Sequence, residues 1–293
     1  MYLIDTPVTA WIPVRTRLWI DQTGASKEAL ERLSHELPTQ IEALQPEFSK
    51  VTSQILAPPK GVFNRLKSRS VLVSLHQMEF IRVTAQFTYD RDKFNAENPD
   101  HPLDEDTFPA LAAMYLGEAI EPLLILTELA FPGQISTSEG LAFASPGSYA
   151  TIRHKDSFHR LWFPDDGDPT WPALSNIALS DVVRWAQGTS FLKKALAQTR
   201  VERALAAFTH MIHLGPFKDG EILFRSMQAL EAFYCDGIGD LRKQLTDKSS
   251  LWLGQWNEKK NIVGHLYDMR SKFVHGSGKI QYSTNHASCG PMD

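Results

Sequence analysis

The sequence predicts an α+β N-terminal domain followed by an all-α, up-down helix bundle. Three observations predict this division. The first half contains a clean strand alternation together with apolar helical segments, whereas a single proline, Pro216, interrupts residues 176–274. Residues 1–175 carry 15 basic and 23 acidic side chains (net −8) and residues 176–293 carry 15 and 11 (net +4), which together give the net charge of −4. We therefore expect two domains, 1–175 and 176–293, with different partners.

The elements of the first domain follow from local patterns. Pro7 to Ile20 is rich in β-branched and aromatic residues and predicts a strand that ends at a turn near Gly24. Ser26 can cap a helix that Pro38 is expected to kink or divide. Apolar and polar residues alternate strictly from Ile81 to Tyr89, which predicts a half-buried strand. A helix at 108–129, bent or split at Pro122, and loops and strands at 132–175 complete the domain.

The second domain is expected to contain five helices, at 176–186, 190–213, 217–235, 239–252 and 257–275, with glycines between them. Such short-linked amphipathic helices pack most simply as an antiparallel bundle. On the third helix, the spacing predicts an interior stripe of Leu223, Met227, Leu230 and Tyr234, with Glu231 on the adjacent stripe at the edge of the core.

On the fifth helix, the interior stripe is predicted to be Ile262, Leu266, Met269 and Phe273. Arg270 falls beside it among apolar neighbours, where a guanidinium normally needs a carboxylate, a phosphate or water. His275 takes the last helical position, and Gly276 suits the residue that ends the helix.

The segment LYDMRSKFVHG, from Leu266 to Gly276, resembles the signature of HEPN domains, in particular the Apea-like HEPN family. The motif of that family is an Arg, four to six residues and a His, which Arg270 and His275 match. An Arg and a His also have this spacing at Arg69/His76, Arg153/His159 and Arg203/His210. Of the four pairs, only Arg270/His275 follows Tyr-Asp, precedes Gly and lies after a helix reading ALEAFY, whose acid is Glu231. The resemblance covers about residues 200–278.

The resemblance implies a metal-independent endoribonuclease that needs no cofactor and acts on RNA as a homodimer. His275 would move a proton at the ribose 2′-hydroxyl or the 5′-oxygen, and Arg270 would hold the scissile phosphate, giving a 2′,3′-cyclic phosphate. Glu231 would orient Arg270, and Ser271 could add a hydrogen bond. The implied setting is anti-phage defence or abortive infection. In that setting the acidic first domain would sense a protein or phage-derived trigger or restrain the nuclease.

Other readings of the same residues stay open. Arg270 could simply pair with Glu231, and His275 could interact with the helix dipole. Many HEPN domains are noncatalytic modules that dimerise or bind a nucleotide or a partner protein. The first domain could instead carry the function, with the bundle as a scaffold.

Composition narrows the class of protein. A chain with 43% hydrophobic and 22% charged residues is ordinary for a globular protein, and a net charge of −4 excludes a polybasic protein bound to nucleic acid by bulk charge alone. The most apolar stretch, Phe108 to Phe131, contains three glutamates, so we expect no membrane-spanning helix. No secretory signal is visible.

Cys235 and Cys289 are too few for a Cys-based zinc site, and the close histidine pairs His154/His159 and His210/His213 lack further ligands, so we expect no metal. We expect a soluble, cytoplasmic protein.

Overall fold

The computed structural model describes residues 3–16, 25–69, 78–100, 102–132, 134–145, 147–153, 175–193, 195–212, 219–237, 239–253 and 262–277. Within these ranges the chain divides into two compact units. The first contains the described residues up to 153 together with 175–185, and the second contains those from 186 onward. The predicted fold class is confirmed: an α+β region is followed by an all-helical one. The predicted strand end at 17–20, its turn at 21–24 and the polar tail from 279 lie outside the described residues.

The first unit is built on an antiparallel sheet of six strands. They are β1 (Leu3–Thr16), β2 (Phe48–Ile55), β3 (Glu79–Asp90), β4 (Ile135–Thr137), β5 (Gly140–Ser145) and β6 (Ser148–Ile152). Their order in space is β2-β3-β1-β5-β6, and β4 pairs with the end of β1. The two longest strands, β1 and β3, lie side by side from Leu3 opposite Asp90 to Val14 opposite Glu79.

The two faces of the sheet differ, as the alternation predicts. On β3, Ile81, Val83, Ala85 and Phe87 are buried, and the residues between them are partly exposed. Helices α1 (Ala25–Leu44) and α4 (Phe108–Ala130) cover the buried face. Helix α2 (Lys60–Arg69) covers part of the opposite face, where Leu66 packs against Trp11, Phe80 and Leu141. The short helix α3 (Arg91–Glu97) follows β3 directly.

Helix α1 continues through Pro38 and is not divided there. A proline lacks the N–H that would bond to the carbonyl four residues earlier, here that of Ser34. The hydroxyl of Ser53 on β2 donates to this carbonyl oxygen, and the Ser34 and Ser53 hydroxyls lie 2.9 Å apart. The neighbouring strand thus supplies a donor to the carbonyl that the proline leaves unbonded within the helix.

Helix α4 forms the centre of the first unit. Its length and composition would allow it to cross a membrane, and it is the one described helix of which this is true. However, 61% of its most apolar window is buried inside the protein, including Leu116, Ile120 and Leu123, which have no exposed surface. Its uniform hydrophobicity is explained by contacts with β1, β5 and β6 on one side and α1 on another. Like α1, it continues through its internal proline, Pro122.

The second region consists of helices α5 (Leu179–Gln187), α6 (Arg200–Ile212), α7 (Asp219–Tyr234), α8 (Leu241–Leu253) and α9 (Ile262–Val274). The residues of α5 up to Trp185 belong to the first unit, where the Ser180 N–H donates to Glu36 at 3.1 Å. Helices α6 and α7 are antiparallel, because Arg200 at the start of α6 pairs with Asp236 just after α7. The core that joins α7, α8 and α9 centres on Met227, Cys235 and Leu245.

Helix α6 begins at Arg200, ten residues later than the predicted start at 190. Glu202 determines this boundary. Its carboxylate accepts hydrogen bonds from the backbone N–H groups of Ser190 (2.6 Å), Gln198 (2.9 Å) and Thr199 (2.8 Å), and the Thr199 hydroxyl accepts from the Glu202 N–H at 3.2 Å. This reciprocal pair is a capping box. The capping box therefore marks both the end of the preceding loop and the first turn of α6.

We expect the capping carboxylate to make the second unit sensitive to acid. The three backbone donors, first that of Thr199, lower the pKa of Glu202 to about 2, from 4.5. Because the folded pKa is depressed, the stabilisation is complete above about pH 4.5 and is lost as the pH falls toward about 2. Urea denaturation measures the free energy of unfolding across this pH window. In Glu202→Gln, this free energy should not show the loss that titration of Glu202 causes in the wild type. Asp247→Asn, at an exposed carboxylate on α8, should retain it, and equal pH profiles for both variants would contradict the assignment.

Candidate active site

Arg270 lies on α9 on the side that contacts α7. The predicted interior stripe of α9 is partly wrong: Met269 is 40% exposed, and the core includes Val263, Leu266 and Tyr267. The interior face is therefore rotated toward the stripe of Val263, Tyr267 and Arg270, because α9 packs against both α7 and α8. This rotation places the arginine at the helix interface instead of beside it.

The guanidinium of Arg270 has two neighbours on α7. Its terminal Nη2 lies 3.5 Å from Glu231 Oε2, and its Cζ lies 5.6 Å from the centroid of the Phe224 ring. The side chains of Arg270 and Glu231 are 23% and 16% exposed. The predicted position of Glu231 at the edge of the core is confirmed, and so is its contact with Arg270. An aromatic face below a guanidinium holds it by a cation–π interaction while leaving its edge donors available.

This ion pair leaves hydrogen-bonding capacity unused. Arg270 Nε and Glu231 Oε1 are both buried, and neither has a hydrogen-bond partner among the described residues. A well-formed bidentate pair would use two parallel N–H···O contacts. Here one donor and one acceptor remain unsatisfied, which is costly in a partly buried position. The guanidinium is therefore positioned by its contacts with α7, and the side chain remains 23% exposed, so an oxyanion in solvent could approach its exposed part.

His275 directly follows the last residue of α9 and is exposed. Gly276 has a positive φ of 68°, and two hydrogen bonds close the helix end: Gly276 N–H to Phe273 O at 3.2 Å and Ser277 N–H to Lys272 O at 2.9 Å. This is a Schellman motif, so the prediction that Gly276 ends the helix is confirmed. The motif fixes the backbone at His275 and leaves its imidazole facing solvent.

Ser271 supports His275 through its backbone. The His275 N–H donates to the Ser271 carbonyl at 3.0 Å, the last regular helical bond. Arg270 and His275 themselves are five positions apart, which corresponds to a rotation of about 140° around the helix. Among the contacts of the described residues, none joins the His275 side chain to Arg270, Glu231 or Ser271. Within one chain, Arg270 and Glu231 are therefore in contact, whereas His275 lies apart from them at the end of α9.

Close packing holds α9 against α7 near this helix end. A Cβ added to Gly220 on α7 would lie 2.3 Å from Cε2 of Phe273, so the aromatic ring occupies the space that the glycine leaves. On the other side, Arg242 of α8 makes a bidentate pair with Asp268, with contacts of 3.0 and 3.1 Å. Neither contact could be predicted from sequence, since the partners lie far apart along the chain. Together they fix α9 from two sides.

A resident metal has no evident place in the described part of the chain, where no group of three His, Cys, Asp or Glu side chains is arranged to hold one. Cys235 is buried, and burial, above all, raises the pKa of its thiol. Its Sγ lies 3.6 Å from the Leu241 carbonyl oxygen, which is a structural contact at the α7–α8 turn. The charged and titratable side chains described above are those of Arg270, Glu231 and His275.

No protein-family model, curated protein or solved structure matches this chain. The resemblance to HEPN domains therefore rests on sequence motifs alone.

Proposed function

We propose that the protein is a metal-independent endoribonuclease of HEPN type, cleaving RNA through the 2′-hydroxyl. One observation carries the proposal. The guanidinium of Arg270 is held over Phe224 in a side chain that is 23% exposed, on the same helix that ends at the exposed imidazole of His275. A positioned anion-binding group and an exposed proton carrier are the two components that phosphodiester cleavage without metal requires.

The reaction would proceed by internal attack. The ribose 2′-oxygen forms a bond to phosphorus while the bond from phosphorus to the 5′-oxygen breaks. His275 accepts the proton of the 2′-hydroxyl, and the leaving 5′-oxygen gains a proton from a second imidazole or from water. The products are a 2′,3′-cyclic phosphate and a 5′-hydroxyl. Arg270 stabilises the negative charge that develops on the nonbridging oxygens.

The separation of Arg270 and His275 around α9 supports the homodimer that the resemblance implies. In a dimer, the imidazole of one protomer could face the arginine of the other, and two histidines could act as base and acid. Glu231 serves as a positioning residue, since it contacts the guanidinium from α7. Ser271 contributes the backbone acceptor that holds His275 at the helix end.

The experiment is RNA cleavage by the purified full chain in EDTA, with end-group analysis of the products. Arg270→Ala should reduce the cleavage rate by about 10²–10³, the usual cost of removing one donor to a developing oxyanion. Arg203→Ala is the matched control, because this exposed arginine lies on α6 in the same unit and has the Arg/His spacing with His210 but not the rest of the motif. It should retain activity.

Three results would contradict the proposal: equal cleavage by wild type and Arg270→Ala, cleavage that disappears in EDTA, or products ending in a 3′-hydroxyl. Wild-type protein that cleaves no RNA, alone or with lysate of phage-infected cells, would favour a noncatalytic HEPN module. The observation that favours this second candidate is the exposure of Phe233 (48%) and Val274 (46%) on α7 and α9, which suits a protein interface. It predicts dimerisation, or binding of a nucleotide or partner protein, without cleavage.

The biological setting that we propose is anti-phage defence in the cytoplasm, with the first unit as the sensor or restraint. It predicts that cells expressing the wild-type chain, and not Arg270→Ala, stop growing after phage infection.

A further inference from the structure

Three aromatic side chains from three elements meet at one end of the sheet in the first unit. Tyr89 lies on β3, Phe94 on α3 and Tyr115 on α4. The ring centroids of Phe94 and Tyr115 each lie 5.9 Å from that of Tyr89, at interplanar angles of 70° and 68°. All three rings are partly exposed, whereas Phe87, which contacts both tyrosines, is fully buried. The rings thus present steeply inclined walls at the surface.

Glu47 carries a carboxylate that acts electrostatically on Tyr89. Its backbone oxygen accepts a hydrogen bond from the Thr88 N–H at 2.9 Å, which fixes the residue beside the end of β3. Its Oε2 is buried and has no hydrogen-bond partner among the described residues. A carboxylate oxygen that has lost water without gaining a donor is unfavourable. A cation close to Glu47 would interact favourably with the charge of this carboxylate.

The electrostatic environment of the rings also favours a cation. Burial, first, then the hydrogen bond and charge of Tyr115, and last the carboxylates of Glu47 and Glu97 together raise the pKa of Tyr89 to about 12. The phenol therefore stays neutral, and its ring keeps the negative face that attracts cations. Two carboxylates act on the same position, so a cation there gains from both the rings and the charges.

The surrounding backbone holds the wall supplied by Phe94. The Asp90 side chain caps α3 by accepting from the Lys93 N–H at 3.1 Å. Asn95 bonds to the backbone of Leu103, accepting from its N–H at 2.6 Å and donating to its carbonyl at 3.4 Å. These contacts fix α3 between β3 and the start of α4. The ring arrangement is thus preorganised in the folded unit.

We propose that Glu47, Tyr89, Phe94 and Tyr115 form a binding site for an organic ammonium ion, which we name the tyrosine cage. A quaternary or methylated ammonium group suits it, because such a group is large, diffuse in charge and weakly hydrated, and so prefers aromatic faces to water. Choline and the side chain of a methylated lysine share this chemistry. The site lies in the first unit and does not depend on the proposed nuclease activity.

The test is calorimetric titration of the full chain with tetramethylammonium, and with choline and Nε-trimethyllysine to distinguish the two sources. The neutral analogue of choline, in which carbon replaces the nitrogen, is the matched ligand control. We expect choline to bind about tenfold more tightly than this analogue, and Glu47→Gln to weaken choline binding about five- to tenfold. Phe94→Leu should weaken it to a similar degree.

The controls are Glu79→Gln, at an exposed carboxylate elsewhere on β3, and Phe63→Leu, in the cluster on the opposite sheet face. Both should bind choline like the wild type, and circular dichroism establishes that each variant is folded. The proposal is overturned if none of the three cations binds saturably or if the neutral analogue binds as tightly as choline. Unchanged binding by folded Glu47→Gln would overturn it as well, because the carboxylate would then have no part in recognition.

Discussion

Replacing His275 with alanine is expected to lower the rate of RNA cleavage by about 10²–10⁴, the usual contribution of a general acid or base. The expected loss follows from the proposed role of its imidazole in proton transfer. His265 provides the matched control, since it is an exposed histidine on the same helix that lies outside the motif. His265→Ala should cleave RNA at close to the wild-type rate.

Added imidazole gives this prediction a sharper form. If His275 acts only by moving a proton, free imidazole should restore part of the activity of His275→Ala and none of the activity of Arg270→Ala. The side chain of His275 is exposed, so its removal should leave the unfolding free energy almost unchanged. A His275→Ala variant that cleaves like wild type, or that loses activity only because it unfolds, would contradict the assignment.

Phe87→Ala is expected to destabilise the first unit by about 3–5 kcal/mol, the range for deleting a large aromatic side chain from a core. Phe87 has no exposed surface, and its ring contacts those of Phe48 (5.1 Å), Phe108 (5.5 Å) and Tyr115 (5.5 Å). Its removal would leave a cavity where β2, β3 and α4 meet. Urea denaturation followed by circular dichroism, with hydrogen exchange at β3 amides, measures the loss.

Two comparisons separate this cavity effect from a general effect of losing an aromatic ring. Phe87→Leu should lower the free energy of unfolding less than Phe87→Ala, because leucine retains more of the side-chain volume. Phe233→Ala, at a ring that is 48% exposed on α7, should change stability much less than Phe87→Ala. A small decrease in the free energy of unfolding of Phe87→Ala would mean that the aromatic cluster does not stabilise this end of the sheet.

Elements with a strong periodic pattern were predicted from sequence, and elements without one were missed. The alternation from Ile81 to Tyr89 identified β3, because one face of this central strand is buried and the other is not. Strand β2 lies at the edge of the sheet and carries a pairing irregularity between Ser49 and Thr52, so its burial has no regular period. The short helices α2 and α3 offered too few turns for a pattern. The sequence therefore gave no signal for these three elements.

The candidate site was likewise predicted only in part from the sequence. Arg270 and Glu231 were expected to meet, and they do, because each occupies an interface position on a long amphipathic helix. The role of Phe224 under the guanidinium was not expected, and neither was the rotation of α9 that exposes Met269. Helical spacing gives the relative positions of residues on one helix, but it does not indicate which stripe faces a given neighbour.

The sequence by itself determined the fold class, the separation into an α+β and a helical region, and the end of α9 at Gly276, since these depend on composition, local periodicity and the φ freedom of glycine. The tertiary structure decided the rest. It determined that a serine on β2 donates to the carbonyl that Pro38 leaves without a helical donor, and that aromatic rings from β3, α3 and α4 meet at one end of the sheet. Both depend on groups distant in the chain, whose proximity only the packing of the folded unit establishes.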